Sequence, residues 1–112
     1  MYKQIKPDMI YHYFDQDIDL IYEIIELVMD LNIQDLRTLN PLYDLGEFQT
    51  IAKKFHKSKP VFSFLGAISV NEVIEKIEKD VEIYFPLLYQ NLLGQLNDLE
   101  EDLKIFLKKI HH

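Results

Sequence analysis

The stretch "LLYQNLLGQLNDLEEDLKIFLKKI", residues 87–110, decides the fold. Leu88, Leu92, Leu96, Leu99, Leu103, Phe106 and Ile110 step along it by four and three residues without a break. That spacing lays an apolar stripe along one side of an α-helix, whereas a half-buried strand would need strict alternation. The reading starts this helix after Pro86, continues it to the end of the chain, and turns Glu100, Glu101 and Asp102 to solvent.

Helical spacing recurs in most of the remaining segments, and no alternating strand pattern is present. A short first helix is expected from Asp8, just after Pro7. The next starts near Asp15 or Asp17, either of which can cap free N–H groups with its carboxylate. Ile18, Ile21, Ile25 and Val28 then form an inward stripe that Leu20, Leu27 and Leu31 widen. A further turn or helix carries Leu36, Leu39 and Leu42, interrupted at Asn40-Pro41 because the residue before a proline is pushed out of helical geometry.

Another helix is expected from Gly46-Glu47 to Leu65, with Phe48, Ile51, Ala52, Phe55, Phe62 and Leu65 on one face. Gly66 stops it, since glycine readily takes the left-handed conformation that ends many helices. "ISVNEV", residues 68–73, reads as a start signal, with Ser69 as cap, Glu72 completing a capping box, and Ile68 and Val73 as hydrophobic staple. Val73, Ile74 and Ile77 then face inward as far as about Asp80. Short connections favour antiparallel neighbours. The expected fold is therefore all-α, an antiparallel four-helix bundle with a short additional N-terminal helix, formed by residues 1–112 as one domain.

Composition narrows the function classes. A net charge of −7 argues against general affinity for nucleic acid, which demands a basic footprint. The absence of cysteine removes disulfides, thiol chemistry and thiolate zinc sites. No run approaches the roughly 18 apolar residues of a membrane span, and the N-terminus lacks a signal-peptide pattern. The setting read from this is cytoplasmic, without a membrane partner.

Against the acidic background, Thr50 to Asn71 contains no acidic residue but gathers Lys53, Lys54, Lys57 and Lys59 around His56. His56 follows the core position Phe55 and so lies roughly 100° around the helix from it. Its surface neighbours are Ala52, Lys53, Lys59, Pro60 and Ser63, with Lys57 next in the chain. Nothing long and apolar covers the ring. A neutral imidazole is nucleophilic near neutral pH. Lysines one turn away would stabilise a phosphoryl group placed on it, and small neighbours would let another protein's active site approach. The bland alternative is an exposed histidine on an ordinary solvated lysine face.

The order His56, Lys59, Gly66, preceded by "GEFQTIAKK", residues 46–54, resembles the histidine-containing phosphotransfer (HPt) domain of bacterial multistep phosphorelays. Glu78 also falls where a later helix of that family often carries a glutamate. The resemblance implies a helical bundle in which His56 is the phosphoacceptor, Lys59 orients and neutralises the phosphoryl group, and Gly66 ends the helix. It implies response-regulator receiver domains and a hybrid sensor histidine kinase as partners, with magnesium held by the receiver. It implies a phosphocarrier rather than an enzyme, and no P-loop or kinase motif occurs in the sequence. No cofactor of its own is expected, and a monomer is.

Where the family usually has a glycine after the lysine, this chain has Pro60. Proline lacks the N–H that would bond the carbonyl of His56, so a kink at the histidine is expected, with that carbonyl turned to water or a side chain.

Two rival readings use the same helices. One is an interaction module that docks a receiver or other partner without being phosphorylated; the other is a purely structural bundle. His12 stands alone among tyrosines and reads as a packing or surface residue. His111 and His112 end the sequence and read as terminal disorder or a purification remnant. No histidine and carboxylate set has convincing metal-ligand spacing. The aromatics Tyr11, Tyr13, Phe14, Tyr84, Phe85 and Tyr89 read as core ends and bundle caps, and Tyr11, Phe14 or Phe64 could add to an apolar docking rim near His56.

Overall fold

A computed structural model describes residues 1–110; His111 and His112 lie outside the described residues. All regular structure among them is helical: α1 (Pro7–Tyr13), α2 (Ile18–Leu27), a π-helical turn (Val28–Asn32), α3 (Ile33–Arg37), α4 (Asn40–Asp44), α5 (Phe48–Phe64), α6 (Ile68–Glu78) and α7 (Val81–Ile110). No described helix is long and apolar enough to cross a membrane.

The long helix α7 starts before Pro86, not after it as the sequence reading has it. Proline inside a helix leaves the carbonyl four residues earlier without its N–H partner. Here that carbonyl belongs to Glu82, and the Tyr43 hydroxyl of α4 donates to it at 2.6 Å. The Tyr43 ring stacks on Phe85 at 4.8 Å, and Phe85 stacks on Tyr89 at 4.3 Å. A long-range partner therefore replaces what proline removes, and the helix runs on.

Asp17 caps α2, accepting from the backbone N–H of Leu20 at 3.1 Å. Ile21, Ile25 and Val28 are buried as expected, whereas Ile18, Leu20, Leu27 and Leu31 are exposed, correcting the wider inward stripe. Leu20 and Leu27 each precede a buried residue, about 100° around the helix, so the core takes one and solvent the other. The next buried residue after Val28 is Ile33, five positions on. The π-helical turn absorbs the extra residue and keeps both facing inward. Leu36 and Leu39 are buried, and the chain breaks between α3 and α4 just before Asn40-Pro41.

Gly66 ends α5 at φ +77°, in the left-handed region expected of it. The turn is so short that α6 begins at Ile68, with Ala67 at the cap position and no side-chain cap. Ser69 thus lies inside the first turn and the capping box does not form, while Ile68 is exposed and cannot staple.

Gly66 also makes room for the N-terminal segment. Lys6 donates its N–H to the Leu65 carbonyl at 2.9 Å, and a Cβ on Gly66 would lie 2.7 Å from the Lys6 Cβ. The same segment is fastened to α7 by Asp102. Its carboxylate is buried, not solvent-facing, and accepts the backbone N–H groups of Lys3, Gln4 and Ile5 at 3.2, 2.6 and 3.1 Å. A buried carboxylate needs such donors, and three of them compensate much of its lost hydration.

Two further contacts tie α3 to α7. The buried Tyr89 hydroxyl donates to the Leu36 carbonyl at 2.7 Å and accepts from the Leu39 N–H at 3.3 Å, filling the break before α4. Burial pushes the Tyr89 phenol above its ordinary pKa. Arg37 grips both oxygens of Glu100 at 3.1 Å. The Arg37 hydrogen bonds hold the Glu100 carboxyl below its ordinary value of 4.5 against an opposing effect of burial.

Asp102→Ala should lower the unfolding free energy by about 2 kcal/mol, since it leaves donors of the N-terminal segment without their charged acceptor. Urea titration measures this, and a change under about 0.5 kcal/mol would show the segment to be held by other contacts. A carboxyl whose folded pKa is depressed stabilises the fold above its unfolded pKa and loses that effect as pH falls. Acid unfolding of the wild type should therefore steepen below about pH 4.5 relative to Glu100→Gln. Superimposable pH profiles would contradict the Arg37 grip.

Candidate functional site

Ile51, Phe55 and Phe62 are fully buried and fix the rotation of α5 about its axis. His56, one residue past Phe55, is consequently exposed. Around it Lys53, Lys57, Pro60 and Ser63 are exposed as well, while Ala52 is half-buried. No bulky apolar side chain stands among them.

Helix α5 continues through Pro60 to Phe64. Pro60 lies on the exposed side, where water can reach the His56 carbonyl that proline leaves without an N–H. One turn on, α6 braces the chain. The Asn71 side-chain amide donates to the Lys59 carbonyl and to the Ser63 hydroxyl oxygen, both at 3.0 Å.

His56, Lys59, Pro60, Ser63, Asn71 and Glu75 line one open depression of about 320 Å³ between α5 and α6. The structure thus brings together the two expected site residues and part of their expected surround. Lys53 and Lys57 lie outside that lining, on the flanking surface; Lys57 borders a second depression with Lys54 and Leu31.

Lys59 is not the freely solvated lysine suggested by its place on the outer face. Its Nζ lies 2.6 Å from the Glu78 carboxylate, with the two side chains 27% and 21% exposed. Lys54 is engaged similarly by Asp35 at 2.5 Å. The positive charge that shares the depression with the imidazole is therefore already matched by a carboxylate from α6.

Asn71 and Glu75 escaped the sequence reading. Asn71 sits at a core register of α6, three residues before the buried Ile74, and a polar residue at such a position is a usable signal. Within "ISVNEV" it was masked by the capping pattern.

Beside the site, Phe64 is partly exposed and contacts Tyr13 at 4.9 Å and Phe14 at 6.1 Å, measured between ring centroids. Tyr11 turns instead toward Phe106 at 5.8 Å. His12 is exposed, its ring 5.4 Å from that of Tyr13. Among the described residues no group of three or more histidine or acidic side chains converges as metal ligands would.

Comparison with known proteins returns no match to any family model, curated protein or solved structure.

The ion pair predicts a reactivity difference. In wild-type protein Lys59 should react with an amine-acylating reagent more slowly than the exposed Lys53 and Lys57, and Glu78→Gln should accelerate Lys59 selectively. Peptide mass spectrometry reads each site. Equal rates at Lys59 in both proteins would mean that Glu78 does not hold it.

Proposed function

We propose that the protein is an HPt-like phosphocarrier: an antiparallel four-helix bundle with a short added N-terminal helix that accepts a phosphoryl group on His56 and passes it on. The observation that carries this reading is the exposed imidazole on α5, with small or cationic neighbours on its own helix and open to a depression shared with Lys59, Asn71 and Glu75. The resemblance of the His56, Lys59, Gly66 order to HPt domains supports it independently of composition.

In the proposed transfer, a receiver domain presents an aspartyl phosphate. The unprotonated imidazole nitrogen of His56 attacks phosphorus, the phosphorus–oxygen bond to the aspartate breaks, and its electron pair returns to the carboxylate. The other ring nitrogen keeps its proton. The reverse sequence hands the group to a second receiver. By the resemblance, the receiver holds the magnesium ion that balances charge on the group in flight.

This chain's contribution is position and field. An exposed ring on a rigid helix meets the partner's phosphate without closing a lid. Lys53 and Lys57 give the approach a positive border, and Lys59 can shift from Glu78 toward the newly bound anion. No ATP site of its own is required.

The interaction-module reading is favoured by a different observation. Leu20, Leu27 and Leu31 remain exposed on the outer side of α2 and its π-helical turn, and Leu31 borders the same depression as Lys57. Such a surface can dock a partner whether or not His56 is phosphorylated.

Incubation with a phosphorylated receiver domain should place acid-labile, base-stable phosphate on the protein, and His56→Gln should abolish it while the helical circular dichroism is retained. Label persisting in His56→Gln would refute His56 as the acceptor, and label absent from wild type while the receiver still binds would leave only the docking role.

A further inference from the structure

Resting on the phosphocarrier reading, we infer that Asn71 is a positioning residue for transfer at His56, because it braces α5 across Pro60 at the floor of the depression. Pro60 removes one link between the turn bearing His56 and Lys59 and the turn that follows. Asn71, from the neighbouring helix, spans that place with both hydrogens of its amide nitrogen. One goes to the Lys59 carbonyl, in the peptide bond that precedes Pro60, and the other to the Ser63 hydroxyl oxygen.

Packing alone does not account for this residue. Asn71 is nine-tenths buried, yet its side-chain oxygen has no hydrogen-bond partner. An apolar side chain of similar volume would carry no unsatisfied acceptor there. The residue that is present instead costs the fold something and fixes the backbone of Lys59, which pairs with Glu78 and lines the depression together with His56. Small errors in the placement of a nucleophile and its charge partner have large effects on rate.

The brace predicts a division between kinetic parameters that loss of folding would not give. Phosphoramidate, a small donor needing no docked geometry, should label His56 at the same rate in wild type and Asn71→Ala. Transfer from a phosphorylated receiver should slow about tenfold at saturating receiver, with its KM nearly unchanged. Asn71→Leu, which refills the volume without the hydrogen bonds, should behave alike, and serves if the alanine variant fails to melt cooperatively. Pro60→Ala restores the N–H for the His56 carbonyl, so in either Asn71 background it should recover most of the lost rate.

Wild-type turnover in both Asn71 variants, or slowing that Pro60→Ala does not relieve, would overturn the brace while leaving the carrier reading intact. Wild-type protein that accepts no phosphate at His56 from either donor would bring down both.

Discussion

One long helix has to be covered along its whole apolar side, and the other helices are all too short to do it. At a rise of about 1.5 Å per residue, the 30 residues of α7 span about 45 Å. That matches the 45 Å long axis of the described molecule. Phe85 and Tyr89 near one end and Leu103 and Phe106 near the other must therefore be buried by different neighbours. The joints between those neighbours are where polar fastenings gather. Tyr89 fills the break between α3 and α4, Arg37 holds Glu100, and Asp102 receives the N-terminal segment.

The candidate site follows from the same geometry. Phe55 and Phe62 must face the core, so α5 turns His56, Lys57 and Pro60 outward while Ser58 between them stays buried. Helix α6 packs beside α5 and supplies Asn71 and Glu75 to the depression that His56 lines, and Glu78 to Lys59. The lysine-rich stretch of an acidic chain is therefore only partly a positive surface. Two of its cations are matched by carboxylates from other helices, and two are left to shape the approach.

Much of this was legible in the sequence where a single element decides the outcome. The stripe on α7, the Asp17 cap, the glycine stop at Gly66 and the outward His56 depend on local spacing, and local spacing is what a sequence displays. The misreadings arose where a distant group intervened. Pro86 reads as a boundary until Tyr43 is seen donating to the Glu82 carbonyl. Asp102 reads as solvated until three N–H groups from the other end of the chain arrive. Ser69 reads as a cap until the tight turn at Gly66 moves the helix start past it. Lys59 reads as free because Glu78 lies a helix away.

The wide turn at Val28–Asn32 has a bearing beyond keeping two side chains in phase. A uniform helix can settle against its neighbour in several nearly equivalent ways, each displaced by one repeat. An irregular coil removes that degeneracy, because its swollen part matches only one place on the facing surface. Here that place is marked by the Asn32 carboxamide meeting the buried Ser58 hydroxyl, two residues from the imidazole on the adjoining helix. The flaw in the spiral thus works as a key, setting the height at which the histidine's helix stands against the turn that carries Leu31.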